Sequence, residues 1–238
     1  MLKSYSLDAS YSVYPIRGLV GYFHLLVDAS RGEAVLIDTG LVGEMPLLSR
    51  TLRKIGLDWR NIKAILLTHG HLDHTGHLVQ VKQRTGAPLL AHAADQPHIN
   101  GSFPYRGASR VCGALEAFGR WVLRYRAVDI DERLHDGMEL PYWGGLQVIH
   151  LPGHTEGHCG FYSGRFDLLF SGDLFASYGF FEHVPPAILN SCPEYLDRSL
   201  ERVQELSPSL IIPSHYFGVD GALHSRKFAA LMARRKRR

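Results

Sequence analysis

A short apolar run, IKAILL at 62–67, ends without a spacer in THGHLDHTGH, which sets four histidines and an aspartate within 69–77. The run has the length and composition of a buried strand, so the titratable cluster begins where such a strand would leave its sheet. Either the cluster is a polar loop that happens to be rich in histidine, or it is half of a metal site completed by later segments. The second reading demands that the arrangement recur, and the chain supplies three further instances: LPGHTEGH with His154, LLFSGDLF with Asp173 and LIIPSHYF with His215. In each, a strand-like run enters a turn marked by glycine or proline that carries a candidate ligand. A sheet fixes the backbone at such points, and the following loop aims the side chain.

The spacing carries chemistry. His69 and His71 stand at i and i+2, so an extended backbone directs both to one side. Asp73 and His74 follow where the chain turns toward the next helix. Imidazole and carboxylate donors together suit zinc, iron or manganese rather than calcium. Five histidines (69, 71, 74, 154 and 215) with Asp73 and Asp173 exceed what one tetrahedral ion needs, and suffice for two ions sharing a carboxylate.

Around these segments the pattern alternates between strands and helices. Residues 5–40 read as antiparallel strands parted by glycines. Helices are expected at about 44–55, 75–85, 194–206 and 222–235, and strands at 62–68, 88–92, 146–151, 159–164, 167–173 and 209–215. Residues 98–108 look like loop. From Ser109 to Arg126, Val111, Leu115, Phe118, Val122 and Tyr125 form an apolar helix face. It reads as a packed helix, a lid or a dimer contact. The stretch between His74 and His154 is longer than one helix and one strand require. The segment at 98–126 is therefore expected to be an insertion beside the site, presenting Phe103 and Phe118 to an acyl or ring substrate, with a second subunit in contact.

Composition narrows the class. The 238 residues allow one α/β domain spanning 1–238, with 45% apolar and 21% charged residues. The C-terminal run RRKRR holds more positive charge than the net +3 of the whole chain. The body is thus slightly acidic, which argues against a nucleic-acid face. No apolar window is long enough to span a bilayer, and the start lacks the pattern of a signal peptide. Cys112, Cys159 and Cys192 form no paired framework. The expectation is a cytoplasmic protein with neither a membrane nor a nucleic-acid partner.

On the HxHxDH motif, the PGHT turn, the late aspartate and the final histidine, the chain resembles the metallo-β-lactamase-fold hydrolase superfamily; LIDTG at 36–40 resembles the loop before that family's first helix. The resemblance implies a four-layer αββα sandwich. It also implies one ion held by His69, His71 and His154 and a second by Asp73, His74 and His215, with Asp173 bridging. Two divalent ions, zinc with iron or manganese as alternatives, would supply a bridging hydroxide that attacks a carbonyl. Asp73 would orient it and pass on its proton. The expected substrate is a small ester, thioester or lactone. A phosphodiesterase, a β-lactamase-like amidase, a mononuclear-iron persulfide dioxygenase and a noncatalytic binding protein are the alternatives. PGHTEGH resembles both glyoxalase-II-type thioesterases and lactonases. The former usually continue past the last ligand into a helical domain, for which the stretch after His215 is short. The lactonase pattern sets a tyrosine three residues after the bridging aspartate, where this chain has Ala176.

Other residues admit two readings. Phe175, Tyr178, Phe180 and Phe181 fill core or line an apolar pocket, and Tyr178 or Tyr216 is a candidate to hydrogen-bond the substrate carbonyl. His77 stands where the family more often has glycine, and reads as a hydrogen-bond donor supporting the ligands, a pocket wall or an outward helical residue. His158 reads as a support for the site or a turn residue. His92, His98, His135, His150, His183 and His224 read as surface or core.

Overall fold

The strands in the first third place apolar side chains on both faces. In β3 (Tyr22–Asp28), Leu25 packs on one side and Leu26 on the other. In β4 (Glu33–Ile37), Leu36 opposes Val35 and Ile37. A strand buried on both faces needs a layer above it and a layer below. The computed structural model describes residues 4–179, 181–217 and 220–237 and supplies both layers.

The first sheet runs in chain order: β1 (Tyr5–Ser6), β2 (Tyr11–Arg17), β3, β4, β5 (Ile62–Leu66), β6 (Leu89–His92) and β7 (Glu132–Leu134). Its first four strands are antiparallel, and the pairs from β4 to β7 are parallel. The second sheet has the order β14 (Leu210–Pro213), β11 (Leu168–Gly172), β10 (Cys159–Ser163), β9 (Leu146–His150), β8 (Glu139–Leu140). A separate hairpin pairs β12 (Ala176–Tyr178) with β13 (Phe181–His183). The sheets pack face to face through Val35 and Leu66 on one side and Val148, Phe161 and Phe170 on the other. Outside the first sheet, α1 (Met45–Lys54) and α3 (Leu78–Thr85) bury Leu48, Leu52 and Val81. Outside the second, α6 (Leu196–Leu206) and α7 (Gly221–Arg235) bury Leu200, Val203, Phe228 and Leu231. This is the expected αββα sandwich.

The helix expected from about Thr75 is two pieces, α2 (Leu72–Thr75) and α3, with His77 between them. The break gives His77 a specific job. Its Nε2 accepts the backbone N–H groups of Gly43, Glu44 and Met45 at 2.9, 2.8 and 3.0 Å, at the start of α1. The four N–H groups that open a helix have no partner inside it, and Glu44 makes no side-chain cap of its own. The start of the segment read as loop belongs to a short helix, α4 (Gln96–Asn100), with Pro97 in its first turn. The short β7, β8 and the β12–β13 hairpin carry too few residues to show an alternation.

In the 98–126 segment, α5 (Arg110–Val122) departs from expectation in the face it turns inward. Val111, Leu115, Phe118, Trp121 and Val122 are all at least half exposed. Glu116 and Arg120 face the interior instead. Glu116 Oε1 accepts Leu72 N–H at 2.7 Å, and Arg120 donates to the carbonyls of Gly70, His98 and Ile99 at 3.1, 2.8 and 3.1 Å. The loop beneath α5 offers backbone polar groups without ladder partners, so a polar helix face satisfies it where an apolar one would not.

Candidate metal centre

The candidate ligands leave the sheets at the C-terminal ends of strands. His69 and His71 follow β5, His154 follows β9, Asp173 follows β11 and His215 follows β14. Asp73 and His74 lie in α2, one turn beyond His71. His69, His71 and His154 place one donor atom each within 4.8 Å of one another, as do Asp73, His74 and His215. A third such group, His69, His74 and Asp173, joins them. Asp173 stands 3.0 Å from His215 Nε2 and 3.5 Å from the Nε2 atoms of both His74 and His154. It therefore touches both halves of the constellation.

The outer nitrogens show why the inner ones converge. His74 Nδ1 donates to Asp38 Oδ2 at 2.8 Å, and His69 Nδ1 to Thr68 Oγ1 at 3.0 Å. That hydroxyl in turn donates to Asp38 at 2.8 Å. His154 Nδ1 is held by Asn190 Oδ1 at 3.1 Å and His215 Nδ1 by the carbonyl of Val20 at 3.2 Å. In the neutral ring, with Nδ1 carrying the proton, each Nε2 has a lone pair to offer the interior. The Nε2 atoms of His69, His71, His74 and His154, and Asp173 Oδ1, are buried without a hydrogen-bond partner. Buried polar atoms left so are costly, and divalent cations held among them would satisfy these atoms, which is the fit expected of imidazole and carboxylate donors.

Electrostatics separate the two halves. Burial, aided by the neighbouring imidazoles, holds His69 well below the usual histidine range and pushes His71 and His154 down to about 3. These rings are neutral donors. Burial also opposes charge on His74 and His215, but Asp73 and Asp173 beside both, with Asp38 beside His74, override it and raise both pKa values. The two carboxylates are held low by the same partners, against their own burial. The second half is thus richer in negative charge.

Three supporting residues escaped the sequence reading. Asp38 is fully buried at φ 61° just after β4, and accepts Thr68 N–H at 2.8 Å as well as the bonds above. A left-handed aspartate at such a site is a strained position held by its surroundings; the LIDTG stretch was its one visible sign. Asp95 accepts Gly70 N–H at 2.7 Å, Thr155 Oγ1–H at 2.8 Å and Gly157 N–H at 2.7 Å. It ties the HGH loop of the first sheet to the PGHT turn of the second, and nothing in AADQP announces it. Asn190 likewise comes from an unmarked stretch.

His158 is buried in the site's support. Its Nδ1 donates to Leu151 C=O at 3.0 Å, leaving Nε2 to accept Asp173 N–H at 2.9 Å. Gly172 has φ +54°, and a Cβ there would stand 2.6 Å from His158 Nε2, so only glycine lets strand and ring meet. His98 is also buried: its ring stacks on Phe103 at 3.8 Å and bonds Glu156 and Tyr105. Tyr178 is half-buried, and its hydroxyl is raised in pKa by burial and lies in the field of His215, Asp173 and Asp73. Tyr216 is buried and stacked on Tyr22 at 4.1 Å, and its hydroxyl has no hydrogen-bond partner among the described residues. Phe175 is core; Phe180 lies outside the described residues.

The model of the metallo-beta-lactamase superfamily matches residues 18–215, from before the first site loop to the last histidine. The chain belongs to that superfamily. Among curated relatives, hydroxyacylglutathione hydrolase GloC of Haemophilus influenzae is 32% identical over 145 residues, 60% of this chain and 61% of that protein. The match thus spans less than two thirds of GloC. The probable metallo-hydrolase YybB of Bacillus subtilis is 30% identical over 184 residues, covering 77% of this chain and 76% of YybB. A structure of TTHA1623 in a di-iron-bound form is similar at 30% identity and TM-score 0.66, over 90% of this chain and 98% of that one. A metallo-beta-lactamase family protein from Thermus thermophilus shares the fold, with TM-score 0.76 over 97% of this chain and 81% of its own, at 23% identity. No helix among the described residues is long and apolar enough to cross a membrane.

Proposed function

We propose that this superfamily member is a dinuclear metal-dependent hydrolase of carboxylic esters, thioesters or lactones. The observation that carries the proposal is the convergence of buried, partnerless Nε2 atoms and an Asp173 oxygen from both sheets. His69, His71 and His154 would hold one ion, Asp73, His74 and His215 the other, and Asp173 both. When bound, two divalent ions supply hydroxide at neutral pH and stabilise a developing oxyanion. Asp73 is the carboxylate of the set most open to solvent, at 24% exposure against 9% for Asp173. It is placed to take up a proton and deliver it to the leaving group. Tyr178, neutral at physiological pH, is the hydroxyl best placed to donate to the substrate carbonyl. Tyr216 acts through its stack on Tyr22, behind His215.

Zinc is the proposed ion, and iron fits the same donors, as the di-iron form of TTHA1623 illustrates. The thioester reading draws support from GloC. Ion content should be determined after loading with zinc, iron or manganese, followed by kinetics on thioesters, esters, lactones, phosphodiesters and β-lactams. The expected result is two ions per chain and a carboxylic ester or thioester as the best substrate. Asp173→Ala should lower occupancy at both positions. One ion per chain in the fully loaded protein, or a phosphodiester as the best substrate, would overturn the proposal.

A further inference from the structure

Next to His215 the surface opens into a cavity of about 570 Å³. Its walls are the turn between β2 and β3, with Leu19 and Val20, the β12–β13 hairpin, with Tyr178 and Phe181, and Phe217. Leu19, Val20, Phe181 and Phe217 are 86%, 50%, 58% and 54% exposed. Four large apolar side chains gathered around one opening are more than scattered surface residues, and mark a place where something apolar docks.

The wall is built into the metal centre. Tyr22 N–H donates to Ser214 C=O at 2.8 Å, and Gly18 N–H to Gly21 C=O at 2.8 Å, which closes the turn. The Glu44 carboxylate accepts Leu19 N–H from below. Val20 C=O holds His215 Nδ1, and a Cβ on Gly21 would lie 2.9 Å from His215 Cε1. Tyr178 lines the cavity, and Ser177 before it donates its N–H to His215 C=O at 2.9 Å. Arg17, which is exposed, is the one charged residue among the described residues of the lining. Its guanidinium lies 5.7 Å from the Phe217 ring, and it forms no ion pair with a carboxylate among the described residues.

We propose that this cavity seats the non-reacting arm of the substrate, an apolar chain or ring ending in a carboxylate, and that Arg17 selects for that carboxylate. The inference rests on the hydrolase reading and names its substrate class. The apolar walls take the arm by burial, and the planar guanidinium receives the carboxylate in a charge-assisted, two-pronged contact. This recognition is remote from the reacting carbonyl and acts on substrate and transition state alike, so it belongs in KM rather than kcat.

The test uses metal-loaded full-length protein and pairs of thioesters matched in length, one ending in methyl and one in carboxylate. The expected result is a preference of about tenfold for the carboxylate member, expressed in KM, as suits a partly exposed charged contact. Arg17→Ala should bring the ratio near one, and Arg17→Glu should reverse it. Leu19→Ser, at a site too exposed to threaten folding, should weaken the dependence on arm length. A second arm measures calorimetric binding of the non-hydrolysable thioether analogues of the same pairs. Turnover of both members with a ratio indifferent to Arg17 overturns the subsite and leaves the hydrolase standing. Arg17-dependent binding of the carboxylate analogue without turnover of any thioester, nor of the matching esters and lactones, sinks the hydrolase reading and leaves the subsite. Equal binding of both analogues to wild type and Arg17→Ala overturns the subsite outright.

Discussion

His77 shows how a residue beside a motif is used for something other than the chemistry of the motif. Its ring caps α1 by accepting three backbone N–H groups, which requires an unprotonated Nε2, and burial lowers its pKa accordingly. The unfolded chain titrates near the ordinary value of about 6.5. Above that pH both states are neutral and the cap contributes fully. As pH falls from there through the lower folded pKa, the unfolded state takes up the proton first and the contribution is lost. His77→Ala should therefore cost about 1 kcal/mol at pH 7.5, the usual worth of a cap, and the gap to wild type should narrow toward pH 5. Urea unfolding at the two pH values measures it. A gap that stays constant, or widens in acid, would mean that the ring does not act as a neutral acceptor.

At the scale of elements, α5 and the ligand loop form one unit. Arg120 gathers the carbonyls of Gly70, His98 and Ile99, stacks on Tyr125 at 4.3 Å, and pairs with Glu116, which itself holds Leu72 N–H. Gly70 and Leu72 flank His71, so the clamp sets the direction in which that imidazole points. Arg120→Ala leaves the Gly70 carbonyl without a donor and takes one donor each from the His98 and Ile99 carbonyls and from Glu116, with a cost of about 2–3 kcal/mol. Metal affinity should fall about tenfold or more, as for other supports of ligands. Arg120→Lys, a point charge in place of a fork, should restore little of it. Competition with a chelator reads the affinity and thermal unfolding reads the stability. If the Ala variant holds its metal as tightly as wild type, α5 is scaffold.

For the whole molecule, the decisive fact is that the donors come from both sheets. His69 and His71 leave the first sheet, while His154, Asp173 and His215 leave the second. Asp95 holds the two ligand loops together from behind. Metal bound between the halves should stabilise the entire sandwich by mass action. The gain is about 4 kcal/mol when free ion exceeds its dissociation constant a thousandfold. Removing the metal with chelator should lower Tm as a single cooperative transition, and the loss should reverse on adding zinc. If chelation left Tm unchanged, or melted one half alone, the centre would not join the sheets. Far from the site, α7 is tied to the hairpin by the Arg234–Glu182 pair and to α6 by Arg235–Asp197, which places part of the basic tail in ordinary helix packing.

The sequence alone determined the seven candidate ligands and the layered α/β architecture, because both leave local marks. Strand length, glycine and proline turns, and a histidine at the end of an apolar run are all read within a few residues. LIDTG hinted at Asp38 for the same reason. Tertiary structure alone decided which groups serve those ligands. Asp95 accepts from residues 25, 60 and 62 positions away, and Asn190 reaches His154 across 36. No local pattern encodes a hydrogen bond at such separation. It also decided the orientation of α5. An amphipathic period fixes that a helix has two faces, but which face is buried depends on what lies beneath it. Here that is a ligand loop with unpaired carbonyls, and the polar face meets it because an apolar one would leave them unsatisfied.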